Sequence, residues 1–186
     1  MRAAVGHGLE QLIARWVGPQ YLDAGVRLFR ERYAEVFGSL TAPLPGVDAA
    51  LQTLAGTGYL LALASNKPAR FSRAILHQYG WDRLFRCVEG PDTVGKTKPD
   101  PAMLRACLEA LGSPANKTLY VGDMPLDAVS GRNAGLDVVL VCGGSAAEVD
   151  LRALGLPLLR GFSALPAFLN DRGWPAFPGP RSPRPS

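Results

Sequence analysis

Leu119-Tyr120-Val121-Gly122-Asp123-Met124-Pro125-Leu126-Asp127 passes from a short apolar run through an acidic turn into the start of a helix. Leu119–Val121 reads as a strand and Leu126–Asn133 as the helix that follows it. A strand that hands over to a helix through a polar loop is one unit of an open α/β sheet. Such sheets place their ligands beyond the carboxyl ends of parallel strands.

The same alternation extends to both sides. Towards the amino terminus, a helix around Asp48–Ala55 precedes a strand at Tyr59–Ala64, and a helix at Ala69–Tyr79 follows it. A short Cys87-Val88 strand and a long polar loop lead to a helix at Pro101–Leu111, and Val138–Cys142 is the next strand. Short, continuously apolar strands between helices imply a parallel sheet covered on both faces. Residues 1–40 differ, with apolar positions at helical spacing (Leu9, Leu12, Ile13, Trp16; then Val26, Phe29, Tyr33, Val36, Phe37) around Gly18-Pro19. They read as two helices. The proline-punctuated stretch Thr41–Gly46 marks a boundary. The expected organisation is a partial helical cap over 1–42, an α/β core over 43–170 and a proline-rich, disordered tail over 171–186.

Composition excludes several function classes. An apolar share of 47% and a charged share of 19% suit a globular protein. The net charge is +4, but the segment 172–186 supplies Arg172, Arg181 and Arg184 and contains no acid, leaving the body at about +1. Nucleic-acid binding would need a basic cluster on the folded part, and none is visible. The longest apolar runs, Leu60–Ala64 and Val138–Cys142, are too short to cross a bilayer. No cationic segment followed by an apolar block opens the chain. Cys87, Cys107 and Cys142 are scattered and odd in number, so they read as buried thiols in a reducing compartment. The expectation is a cytoplasmic protein with neither membrane nor nucleic-acid partner.

Three polar groups follow strands or precede helices. Ser65-Asn66 ends the Leu60–Ala64 run. As a plain turn it would cap the next helix; alternatively the Ser65 hydroxyl and nearby N–H groups donate to a phosphate, helped by the helix dipole. In Thr97-Lys98-Pro99-Asp100-Pro101, helix-start chemistry accounts for Asp100 and Pro101. It does not account for Lys98, and Lys96 is a competitor. Gly122-Asp123-x-x-x-Asp127 places two carboxylates four residues apart. Acids are welcome in a first helical turn. Beside a bound phosphate, however, they would repel it and each other unless a hard cation such as Mg²⁺ joined them.

The joint order Ser-Asn, Lys-Pro-x-Pro and Gly-Asp-x-x-x-Asp resembles the haloacid dehalogenase (HAD) phosphatase superfamily, in particular its phosphoglycolate phosphatase-like branch. The resemblance spans about residues 5–170. It implies that Ser65, Asn66 and Lys98 bind phosphate, that Lys98 also stabilises charge during catalysis, and that Asp123 ligates Mg²⁺ directly with Asp127 in its second shell. It also implies a small phosphorylated metabolite as substrate. Glu89-Gly90-Pro91-Asp92 stands where this branch usually has Gly-Gly-Asp. Val5-Gly6-His7-Gly8-Leu9 is similar to a glycine pair opening the cap, which makes His7 a candidate substrate-facing residue.

Members of that superfamily begin with a strand ending in Asp-x-Asp, the nucleophile and the acid/base. No Asp-x-Asp occurs in the 186 residues. The resemblance therefore implies a doubly wound, three-layer core without its first strand, which in the family lies between the Tyr59–Ala64 and Leu119–Val121 strands. A start assigned too late, inside cap sequence, accounts for this most simply. The chain by itself is expected to be inactive, marginally stable or self-associating. A non-catalytic remnant acting as a binding module stays open as an alternative. A phospho-receiver is disfavoured because its acids precede its hydroxyl and lysine, whereas here they come last.

Overall fold

The computed structural model describes residues 9–174, with the main chain alone at positions 11, 37, 39 and 40. His7, with its neighbouring glycines, and the proline-rich end at 175–186 lie outside the described residues.

Two helices open the fold, α1 (Leu9–Val17) and α2 (Leu22–Leu40). Between them Gly18 takes φ +92, a value that an L side chain rarely adopts. Then follow α3 (Val47–Gly56), β1 (Leu61–Ala64), α4 (Ala69–Gln78), β2 (Phe85–Glu89) and α5 (Pro91–Val94). The remainder is α6 (Ala102–Leu111), β3 (Leu119–Gly122), α7 (Pro125–Asn133), β4 (Asp137–Val141), α8 (Glu148–Arg152), β5 (Leu158–Leu159) and α9 (Leu165–Asp171). Every element expected from periodicity is present within a few residues. Unexpected are α5, α8, β5 and α9. The first three have two to five residues each, too few for a period to declare itself.

All strand pairings are parallel: β1 with β2, β3 with β4, and β4 with β5. Leu61 and Leu63 pack with Leu51 of α3, Leu76 of α4 and Trp81. On the same face, Leu54 of α3 joins Leu165 and Leu169 of α9 against Leu119, Val121 and Leu159. Ala128 of α7 and Leu151 of α8 cover Val138 and Leu140 from the opposite side. There α6 lies over β1 and β2, where Cys107 and Cys87 share a hydrogen bond. That bond holds the Cys87 thiol below the usual range and, together with burial, pushes Cys107 above it. The architecture is therefore three layers of the doubly wound kind, helices on both faces of a parallel sheet.

The sheet is in two pieces. Among the described residues no ladder joins β1 to β3. Burial records the break. In β4, Val138–Val141 are fully buried, whereas every residue of β1 is only half-buried although helices cover both of its faces.

The α1–α2 hairpin buries Val26 and leaves Trp16, Tyr21 and Leu28 more than half exposed. It leans on α4 through Tyr33, whose ring meets Phe71 edge-on at 5.0 Å, and through Gln78 Nε2, which donates to the Gly38 carbonyl.

Candidate active site

The carboxyl ends of β1 and β3 open into one cavity of about 360 Å³, into which Ser65, Lys67, Lys98, Tyr120, Asp123 and Asp127 project. Each is delivered by the segment that follows or ends a strand. Lys96, the competing lysine, is exposed and does not line this cavity.

Asp127 organises the site. Its Oδ1 accepts Lys98 Nζ at 2.7 Å and the Tyr120 hydroxyl at 2.9 Å. Its Oδ2 accepts the main-chain N–H groups of Asp123 and Met124, both at 3.0 Å. The side chains of Lys98 and Asp127 are 12% and 4% exposed, so this is a buried, charge-assisted pair. Lys98 Nζ also lies 3.2 Å from the Tyr120 oxygen. Burial and the neighbouring Asp127 push the Tyr120 phenol far above its ordinary range. Tyr120 therefore keeps its proton and acts as a donor at any working pH.

Gly122 makes this arrangement possible. A Cβ there would lie 2.2 Å from the Asp127 Cβ, a contact that rotamer changes cannot relieve. We predict that Gly122→Ala destabilises the fold by about 1–3 kcal/mol, as overpacking of a filled site does. A urea midpoint unchanged from the native protein would show that the strand end is looser than this.

Asp123 is held differently. Its Oδ2 accepts the Ser145 N–H at 2.6 Å, and Gly144 admits it so closely that a Cβ there would sit 2.0 Å from that oxygen. No hydrogen bond reaches Oδ1 from the described residues. Of the two carboxylates lining the cavity, Asp123 thus retains a hard oxygen without a hydrogen bond from the described residues, while Asp127 has committed both of its own. One carboxylate oxygen, completed by waters and a phosphate oxygen, is a donor set that Mg²⁺ accepts. Among the described residues no cluster of three His, Cys, Asp or Glu forms a ready-made cage.

Asn66 turns its side-chain amide onto the main chain of Lys98. Its Oδ1 accepts the Lys98 main-chain N–H at 2.7 Å, and its Nδ2 donates to the Lys98 carbonyl at 3.4 Å. This two-way clamp fixes the loop that carries Lys98. Ser65 Oγ accepts the Lys67 N–H at 3.1 Å, which leaves the hydroxyl proton to donate into the cavity. The first amides of α4 are already engaged: Asp92 Oδ1 accepts Ala69 N–H at 2.5 Å, and Oδ2 accepts Arg70 N–H at 3.4 Å. The anion at that helix terminus is therefore Asp92, whose departure from the usual Gly-Gly-Asp pattern still leaves the carboxylate in place.

Burial opposes the Asp92 charge, but the amides of Ala69, Arg70 and Asp92 itself, with the nearby Arg70 guanidinium, together outweigh it and hold its carboxyl below the usual carboxylate range. A depressed folded pKa gives stability that is present above the ordinary Asp value of about 3.9 and fades as pH falls through the folded value. Asp92→Asn keeps an acceptor and loses the charge, so at neutral pH it should cost roughly 0.3–1 kcal/mol of charge–dipole interaction. Melting curves of the two proteins should converge below about pH 4, the ordinary carboxylate range. A constant gap across the acid range would contradict this.

Sequence reasoning missed Tyr120, Gly144, Ser145 and Lys67. Tyr120 had a readable signal, because it shares a strand face with Gly122, the position that admits Asp127. The Gly144–Ser145 contact depends on a loop from another strand and had none.

The model of the haloacid dehalogenase-like hydrolases matches residues 1–141. The chain belongs to that family. A phosphoglycolate phosphatase of Psychrobacter arcticus is 32% identical over 181 residues, covering 91% of this chain and 79% of the relative. A plasmid-borne phosphoglycolate phosphatase of Cupriavidus necator is 34% identical over 172 residues, covering 89% and 74%. These relatives set the chain on the phosphoglycolate phosphatase-like branch of the family. Among solved structures, a Haemophilus somnus protein described as a predicted phosphoglycolate phosphatase superposes with a TM-score of 0.82 at 24% identity, covering 90% of this chain and 80% of that one. A haloacid dehalogenase-like family hydrolase of Streptococcus pneumoniae gives 0.81 at 15%, covering 90% and 79%. These two likenesses carry the fold. No helix among the described residues is long and apolar enough to cross a membrane.

Proposed function

We propose that this fold, once completed by a strand bearing Asp-x-Asp between β1 and β3, hydrolyses a small phosphate monoester of the phosphoglycolate kind in the cytoplasm. The observation that carries this reading is the convergence of Ser65, Lys98 and Asp123 on one cavity at the joint strand ends. The Ser65 hydroxyl donates to the phosphoryl oxygens, and Lys98, oriented by Asp127 and Asn66, offsets their charge. Asp123, with its uncommitted oxygen, would hold Mg²⁺, which when bound neutralises phosphate charge and orients it for in-line attack. Lys67 stands on the rim of the same cavity, with Nζ 5.4 Å from the Tyr33 ring centre, and would meet a substrate carboxylate.

The chain as it stands supplies only this electrostatic half. Covalent phosphoryl transfer needs a nucleophilic carboxylate, and protonation of the leaving oxygen needs a second acid. Asp82, Asp92 and Asp100 have no partner two residues away, and Asp92 and Asp100 already cap the amides of Ala69 and Ala102. The 186 residues alone should therefore release no phosphate from p-nitrophenyl phosphate or phosphoglycolate above a buffer control. A protein extended by an Asp-x-Asp strand should do so, and should require Mg²⁺. Turnover by the chain alone, with contaminating phosphatase excluded, would refute this division of labour. Silence from the extended, folded protein would refute the phosphatase reading itself.

A further inference from the structure

Cys87 and Cys107 take no part in the active-site cavity, yet the fold sets them against each other. Alternate residues of a strand divide between its two faces. Leu61, Leu63 and Val88 pack with Leu51 and Leu76 on the α3 and α4 side. Ala62 and its ladder partner Cys87 therefore face the other way, towards α6. On β1 the neighbour of Cys87 is thus only the methyl group of Ala62. From α6, buried Cys107 comes down onto the same two strands, its Sγ 3.8 Å from the Leu63 carbonyl oxygen. The two sulfurs meet in a hydrogen bond, and both are free thiols.

The two thiols are not equivalent. Cys107 is buried, whereas Cys87 is half-buried on a strand that pairs with β1 alone among the described residues. Ser65 donates to the Glu89 carbonyl, so by alternation the Val88 carbonyl points to the open edge of β2. There it accepts Arg73 Nη2 from α4 at 2.8 Å, which brings a guanidinium beside Cys87. The hydrogen bond from Cys107 lowers the Cys87 pKa, and Arg73 adds to it, against burial and the Glu89 carboxylate. The same hydrogen bond, with burial, pushes the Cys107 thiol up. Cys87 is the sulfur that ionises first and meets solvent, and Cys107 waits behind it with its proton. An accessible thiolate in contact with a second thiol is the arrangement of cysteines that oxidise reversibly. Cys142, also half-buried, lies just past β4 on the other piece of the sheet and serves as an internal control.

We propose that Cys87 and Cys107 form a redox-modification site, closed to a disulfide by a hydroperoxide such as hydrogen peroxide. The Cys87 thiolate attacks one peroxide oxygen and the O–O bond breaks. Cys87 becomes a sulfenic acid, and the departing hydroxide takes up the proton that Cys87 had released. The Cys107 sulfur then attacks the sulfenic sulfur, the S–O bond breaks, and the Cys107 proton leaves with the oxygen as water. Two thiols lose two electrons and two protons, and one hydrogen peroxide becomes two waters. In a reducing compartment such a bond is transient, reopened by exchange with an external thiol. The ring it closes runs from β2 to α6 and encloses Asp92, which holds the first amides of α4, and Lys98. Oxidation therefore ties together the chain on either side of the Lys98 loop.

The test exposes the full 186-residue chain to hydrogen peroxide, alkylates the remaining thiols in denaturant and maps the peptides by mass spectrometry. The expected product is a linked Cys87–Cys107 peptide pair, two hydrogens lighter, with Cys142 still alkylated. It should form about tenfold faster than any oxidised form of Cys142, in line with the difference in thiolate character. Dithiothreitol should restore all three thiols. Because the ring restricts the unfolded chain, the oxidised protein should unfold at a higher urea concentration than the reduced one. In Cys107→Ser, dimedone should trap Cys87 as the sulfenic acid; in Cys87→Ser, Cys107 should stay a thiol. If either variant fails to fold, the map of the native chain decides by itself. Oxidation of Cys142 before the pair overturns the proposal, as does Cys87 carried on to sulfinic acid while Cys107 stays free. So does a linked pair that forms as readily in urea as in buffer, because the fold would then contribute nothing. A urea midpoint lowered by the bond would show that the folded protein does not accommodate it, and would overturn the site as well.

Discussion

Asp127→Asn should lower stability by about 3–5 kcal/mol, the cost of breaking a buried ion pair by removing one partner. Lys98→Met should cost distinctly less. The asymmetry follows from the donor count. Asp127 collects four donors: Lys98 Nζ, the Tyr120 hydroxyl and the amides of Asp123 and Met124. An Asn amide cannot replace it, because whichever way it turns its NH₂ meets a donor on one side, either the two amides or the lysine and tyrosine. Removing Lys98 leaves the carboxylate with three of its four hydrogen bonds, and hydrogen bonding to the charged form sustains it. Against a typical total of about 5–15 kcal/mol, the first substitution takes a large share and should move the urea midpoint well below that of Lys98→Met. In the strand-completed protein the order should reverse for catalysis at equal folded fraction, since in the proposed function Lys98 would offset the charge of the phosphoryl group. Equal destabilisation by the two variants would mean that Asp127 is held mainly by the lysine and that the amide cradle contributes little.

The parts of this molecule that the sequence discloses are those governed by period and by turn chemistry. The strands at 61–64, 119–122 and 137–141 are short apolar runs bounded by helices, and their order alone implied a parallel three-layer core. The helices α4, α6 and α7 declared themselves through spacing and through Ser65, Asp100 and Asp123 in the preceding loops. Less of the site was legible. That Ser65, Lys98 and Asp123 converge follows from topology, but Asn66 turning back onto the Lys98 main chain does not. Nor does the capture of the α4 amides by Asp92, twenty-three residues away from Ala69. Both are hydrogen bonds between loops of different strands, where the partner is chosen by packing and no local pattern records it. The break in the sheet lay between: the absence of Asp-x-Asp led to the expectation of a missing strand, and among the described residues no ladder joins β1 to β3.

Asp123→Asn and Asp100→Asn look alike on paper and should behave very differently. Asp100 Oδ1 accepts the Ala102 N–H at 2.9 Å at the start of α6. Asn is as good a cap as Asp, so that exchange should cost no more than a few tenths of a kcal/mol and leave turnover of the strand-completed protein within about twofold. Asp123 spends one oxygen on the Ser145 amide and keeps the other for the cavity. Its replacement by Asn preserves an acceptor for Ser145 and therefore the loop, but withdraws the one carboxylate oxygen of the Asp123–Asp127 pair not committed to a hydrogen bond among the described residues. Removing a preorganised charge from beside a reacting phosphoryl group is expected to cost about 100-fold or more in kcat. The same substitution should abolish any Mg²⁺-dependent rise in melting temperature, a readout that does not depend on turnover. Equal kinetic loss from both substitutions, or a Mg²⁺ response that survives in Asp123→Asn and disappears in Asp127→Asn, would move the cation from the first carboxylate to the second. Lys98 would then have to leave Asp127 for the ion to enter.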